Sequence, residues 1–462
     1  MSLDTRITGG RVVTPSGTHD LDVLIDAGRI VGLVTPETGT GIDAEVIDAR
    51  GLTVLPGMVD VHVHTREPGY THKEDIYTTG LQAAAGGVTT IFGMPNLDPP
   101  TTDSKTLAQV FELYEQKSIV DYNHNPAPTT LGDIQAMAEA GIRAFKIYMV
   151  VDTGRTYPHP AGTGMHDHGH LLEMMDLIAP TGKRFIIHPH DQSVMDYLEG
   201  QVLARGENTP QGYAQAYAAR EGVIWDTAID VVLRLAESAQ CPIHIAHMQT
   251  RRSIDAVRRA KARGVDVTCE VNHWALFLST WHDVETLGPY ALSYWVPDDA
   301  REAVWEGLRD GTIDVYSSDH APHTREEKEI GWTKMWSSHT GTPGLQFLYP
   351  LLLDAAAAGK VPLGRAIDAA CHQPAKKFGL AGVKGEIETG CDADLVFAAF
   401  GAPWTITDDE VLSRCGWTPY NGRSCNVRIE STMLRGKFIY RDGKVVGEAG
   451  NGRLAAPRSA AS

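Results

Sequence analysis

The chain has 462 residues, of which 42% are hydrophobic, with 46 glycines, 25 prolines and a formal charge of −17. This is the composition of a packed, loop-rich protein rather than a disordered one, long enough for one large barrel and a smaller companion. The acidic balance, with no basic stripe to offset it, argues against nucleic acid or an anionic membrane surface as a main partner and leaves small molecules.

The six cysteines contain no Cys-x-x-Cys pair, which suggests neither a zinc knuckle nor a disulfide framework and fits a reducing, cytoplasmic setting. The start, "MSLDTRITGG", lacks a basic-then-apolar leader. The longest apolar run, "LYPLLLDAAAA", is broken by Asp354 and is too short to span a bilayer.

From the N-terminus to residue 53, short apolar runs alternate with turn residues, as in "LDVLIDAGRIVGL", which predicts a β meander. The same texture returns from 381 to 462, in "GCDADLVFAAF" and "VRIESTMLRGKFIYRDGKVV", where "RDGK" signals a hairpin. The two ends are therefore expected to form one small β-sandwich domain around an inserted middle, with "GRLAAPRSAAS" as a frayed tail.

Between them, residues 54–380 alternate β-branched runs with helical stretches. The candidate strands are "TVLPGMVDVHVH", "VTTIFGM", "IVDYNHN", "RAFKIYM", "RFIIH", "PIHIAH", "VDVTCE" and "IDVYSSD". Helical stretches such as "IYTTGLQAAAGG", "GDIQAMAEAG" and "SIDAVRRAKARG" each close near a glycine stop. The fold class is α/β, a (β/α)8 TIM barrel.

Barrel enzymes assemble their sites at the carboxyl ends of the strands. Those ends carry His62 and His64, Lys146, His188, His247 and Asp319. On a regular strand His62 and His64 share one face, with Val61 and Val63 on the other. Each residue has a plainer reading: a hydrogen-bonded core histidine, a helix-capping aspartate, a lysine snorkelling to the barrel mouth. Their convergence on one rim favours a divalent metal such as zinc, for which imidazole and carboxylate are natural ligands. A protonated Lys146 would be repelled by metal ions, and residue chemistry alone leaves its part open.

In this order, "DVHVHTREPG", "AFKIYM", "IHIAH", "SSDHAPHT" and the later "GCDADLVF" resemble the cyclic amidohydrolase branch of the metal-dependent amidohydrolases, which contains dihydroorotase, hydantoinase and allantoinase. The resemblance covers nearly the whole chain. It implies that Lys146 is carboxylated by CO2 and bridges two metal ions. One ion would be held by His62, His64, Lys146 and Asp319, the other by Lys146, His188 and His247, with a hydroxide between them. Asp319 would also act as general base, so that no side-chain nucleophile is needed.

The resemblance further implies, as in dihydroorotases, that Arg66, Asn96 and His323 hold a substrate carboxylate, which suits the planar fork of a guanidinium. The plainer reading of Arg66 is an ion pair with Glu74 or Asp75. Four stretches depart from the pattern: "LSYWVPDDAREAVWEGL", with Tyr294 and Trp295; "CEVNHWALF", with His273 beside Trp274; "HPHDQ", with His190; and "YPHPAGTGMHDHGH", with His159, His166, His168 and His170, read as a solvated loop or lid rather than a third metal site. The aromatic departures suggest a bulkier or flatter ring. A hydantoinase or allantoinase activity is the first alternative; a single-metal deaminase and a non-catalytic assembly relative are further ones. Relatives are commonly dimers or tetramers, so a homo-oligomer is expected.

Overall fold

The computed structural model describes residues 3–151, 160–292 and 298–458. The eight barrel strands are Met58–Val63, Val88–Gly93, Asp121–His124, Ala144–Tyr148, Arg184–His188, Ile243–Ile245, Val267–Asn272 and Val315–Ser317. The first three pair in parallel, as do the last five. Two seams join them into a ring. The Lys146 amide donates to the Pro126 carbonyl (2.9 Å), and the His64 amide to the His320 carbonyl (2.8 Å) beside the Val63 to His320 bridge.

Local chemistry sets where the intervening helices begin and end. Ile76–Gly86 and Ser104–Lys117 each start with an aspartate capping box, Asp75 with Thr78 and Asp103 with Thr106, which satisfies otherwise orphaned amides. The first stops at Gly87, whose φ of 79° is costly for any residue with a Cβ.

The first barrel strand departs from regular alternation. The run "TVLPGMVDVHVH", expected as one strand, divides at Gly57: Thr53–Pro56 joins a sheet with Leu395–Thr405, and Met58–Val63 enters the barrel. A Cβ at Gly57 would lie 2.2 Å from Thr89 Oγ1, so only glycine allows this close passage. A second irregularity falls between Asp60 and Val63. As a result Val61 packs with Phe92, Ala144, Ile186 and Ala246, away from the cluster that holds Val63. A bulge of this kind re-aims side chains beside a site.

The two chain ends build two sheets. One has four strands in the order Arg29–Val34, Asp22–Asp26, Thr5–Thr8, Glu45–Asp48. The other has seven and mixes N-terminal strands with Leu395–Thr405, Ser424–Leu434 and the "RDGK" hairpin. Ile7, Val23, Val54, Leu395, Phe397 and Met433 share one apolar core, so the expected β-sandwich is present. The expected frayed tail is a correction for residues 452–458, while 459–462 lie outside the described residues. Residues Arg453 and Ala455 bond Tyr122 of the third barrel strand (3.0 and 2.7 Å), and Ala455 is buried.

Candidate active site

His62, His64 and Asp319 offer ligand atoms that all lie within 4.8 Å of one another. The Nε2 atoms of both histidines stand 3.2 Å from Asp319 Oδ1. Their other nitrogens are committed: His62 Nδ1 donates to Glu270 Oε1 (2.5 Å) and His64 Nδ1 to Asn96 Oδ1 (2.7 Å). This fixes the tautomer that turns both Nε2 lone pairs toward the shared carboxylate, as metal-binding imidazoles require. Beside them, His188 Nδ1 and His247 Nε2 are 2.8 Å apart, with the His247 ring 6.2 Å from that of His62. His188 Nε2 meets His190 Nδ1 at 3.1 Å.

Lys146 is fully buried and its Nζ has no hydrogen-bond partner among the described residues. Burial lowers its pKa to about 8, against the fields of Glu270 and Asp319. Burial also raises Asp319 and lowers His62, and it holds His64 and His247 well below the ordinary imidazole value. These histidines are therefore neutral near pH 7, the form that can bind a cation. The donor set, with an orphaned lysine nitrogen among imidazoles and a carboxylate, fits divalent ions. His247 (φ 37°), Asp319 (φ 46°) and Arg66 (φ 61°) all occupy the left-handed region, where strain in residues other than glycine clusters at functional sites.

The expected substrate residues form bonded pairs with this rim. Arg66 is buried, donates from Nε to the Pro322 carbonyl (3.2 Å) and from Nη2 to His323 Nε2 (3.1 Å). His323 Nδ1 faces Glu327 (3.5 Å), which pairs with Lys73 (2.9 Å), and its ring stacks on His339. The acids considered as plain partners for Arg66 have other contacts: Asp75 pairs with Arg414 and Glu74 accepts from Gln82 and Ser413. Asn96 is the hydrogen-bond acceptor of His64, a task not foreseen in the sequence.

Three buried polar residues were also missed. Glu270 accepts from His62, from His244 Nε2 (3.2 Å) and from Asn272 Nδ2 (3.3 Å), and the opposite ring nitrogen of His244 meets Thr268 Oγ1 at 2.8 Å. Asp60 Oδ1 accepts the amides of His62 (3.2 Å) and Ser318 (3.1 Å). The available signal was spacing: Thr268, Glu270 and Asn272 alternate with Cys269 and Val271.

Of the departures, His273 is buried against the Tyr420 hydroxyl, and Trp274 lies 6.1 Å from the His247 ring. His166, His168 and His170 are exposed, and Asp167 caps the helix His168–Ile178. Tyr294, Trp295 and His159 lie outside the described residues.

The profile of the amidohydrolase family matches residues 53–439. A dihydroorotase of Methanosarcina acetivorans is 33% identical, covering 98% of this chain and 95% of that protein. An allantoinase of Enterococcus faecalis is also 33% identical, covering 98% and 99%. The solved structure of the L-hydantoinase (dihydropyrimidinase) from Arthrobacter aurescens superposes with a TM-score of 0.92 at 27% identity, covering 98% of this chain and all of the other.

Proposed function

Because the chain belongs to the amidohydrolase family, we propose that it is a two-metal hydrolase that opens the C–N bond of a cyclic amide, imide or ureide whose ring bears a carboxylate. The observation that carries the two-metal reading is the buried Lys146 Nζ, which has no hydrogen-bond partner among the described residues. An ammonium held this way is costly. A lysine nitrogen that adds CO2 and releases a proton becomes an anionic carbamate, and the cost becomes a pair of ligand oxygens.

His62, His64, Lys146 and Asp319 would hold one ion and Lys146, His188 and His247 the other, with zinc the metal best matched to imidazole and carboxylate. Bound ions would supply a water of lowered pKa and polarise the scissile carbonyl. Asp319 takes the proton of the attacking water and returns it to the departing ring nitrogen. Burial, which raises Asp319, suits it to both halves of that transfer. Arg66 and His323 orient the ring through its carboxylate, with Asn96 next to them on His64.

An uncharged ring is the second reading, supported by the likeness to the L-hydantoinase. Dihydroorotate, hydantoin, allantoin and dihydrouracil offered in parallel to the zinc-loaded protein decide between them. The proposal expects dihydroorotate to turn over and that turnover to collapse in Arg66→Ala. Turnover confined to uncharged rings would overturn the carboxylate assignment, and turnover of none would overturn the ring-hydrolase reading.

A further inference from the structure

Below the rim, His62 is backed by a buried chain of polar groups that the proposed chemistry does not use, Glu270, His244 and Thr268, all 1% exposed or less. Its centre is Glu270. One carboxylate oxygen takes the Nδ1 proton of His62 at 2.5 Å and an Asn272 amide proton at 3.3 Å, and the other takes the Nε2 proton of His244 at 3.2 Å. The charge of Glu270 also acts on Lys146, His247 and Asp319, three further members of the donor set.

We propose that Glu270 is a positioning residue for metal retention. It holds His62 in the tautomer and ring orientation that presents Nε2 to the site, and it adds a fixed negative charge beneath the cations. This rests on the two-metal reading and goes beyond it by assigning a residue that touches neither metal nor substrate. A carboxylate behind a metal-binding imidazole orients it and raises its basicity. What distinguishes this one is that it is shared: the same carboxylate is anchored from behind by His244, which is itself fixed by Thr268 Oγ1 at 2.8 Å.

Glu270→Gln separates the two contributions with little disturbance. The amide oxygen can still accept from His62. The amide N–H2 would then face His244, which can answer by moving its proton to Nδ1 and donating it to Thr268, whose hydroxyl can turn to the Ile243 carbonyl 3.4 Å away. The variant is therefore expected to fold, to keep the orienting bond and to lose the charge. Glu270→Ala loses both.

The test is zinc binding, read by competition with a chromophoric chelator on metal-stripped protein in bicarbonate buffer, together with thermal unfolding of the metal-free proteins. We expect wild type to bind two equivalents, Glu270→Gln to bind zinc about 10-fold more weakly and Glu270→Ala about 100-fold more weakly. The metal-free melting point of Glu270→Gln should match wild type, which separates a role in metal retention from one in folding. Wild-type zinc affinity in Glu270→Gln and Glu270→Ala alike would overturn this inference and leave the two-metal reading standing. Absence of zinc binding by wild type would overturn both.

Discussion

His64 Nδ1 lies 2.7 Å from Asn96 Oδ1, so the asparagine expected to contact substrate is the group that orients the imidazole of a proposed metal ligand. Asn96→Ala removes the acceptor and should weaken zinc binding by about 10-fold, as loss of an outer partner of a ligand does. Asn96→Asp keeps an acceptor for His64 and should retain the metal while repelling a carboxylate-bearing ring, seen as a raised KM. Equal zinc affinity in Asn96→Ala and wild type would contradict this.

Asp319→Asn keeps the side-chain shape next to His62 and His64 but removes the carboxylate proposed as proton acceptor. General acid–base catalysis contributes about 10²–10⁴-fold, so kcat should fall by at least that range. Steady-state kinetics on metal-replete variant checks it, with zinc content measured on the same sample.

The barrel strands were legible because a parallel sheet covered by helices needs short apolar runs rich in β-branched and aromatic residues, as at 88–93, 144–148 and 184–188. The rim histidines were legible because each closes such a run. Glu270 and His244 were not, because a charged residue in mid-strand reads as solvent-facing unless its partners on other strands are known. The break at Gly57 was hidden for a related reason: it depends on the approach of Thr89, a contact between strands. The docked tail escaped notice because its affinity for Tyr122 is carried by backbone bonds, which composition does not record. The family likeness grouped Arg66, Asn96 and His323 around one substrate carboxylate, but the direct bond between Arg66 and His323 was not foreseen, because neither motif alone shows that the two side chains meet.

At the other end of the barrel from the rim, Lys384 is buried among Asp121, Asp392 and Asp394 at 2.5, 2.9 and 2.6 Å and ties the third barrel strand to the C-terminal sheet. Removing one partner from a buried ionic network leaves charge uncompensated, at a cost of about 3–5 kcal/mol. Lys384→Met should lower the urea midpoint accordingly, with unchanged turnover per folded chain at low denaturant.

Lys328 donates to the carbonyls of His339 (2.9 Å) and Gly341 (3.0 Å), and burial lowers its pKa from 10.5 to about 7. The unfolded chain therefore binds more protons than the folded one between pH 7 and pH 10.5. Stability from this residue rises with pH across that window and is lowest below pH 7, where the charge is carried in full. The stability difference between wild type and Lys328→Met, measured by urea unfolding at pH 7 and pH 9, should shift in favour of wild type at the higher pH. A difference that does not change with pH would contradict it.

The most direct test of the two-metal account is metal content and turnover measured together on wild type and Lys146→Ala. The account predicts two zinc ions per wild-type chain, fewer in Lys146→Ala, and ring-opening activity lost with them. Two retained ions and full turnover in Lys146→Ala would contradict it.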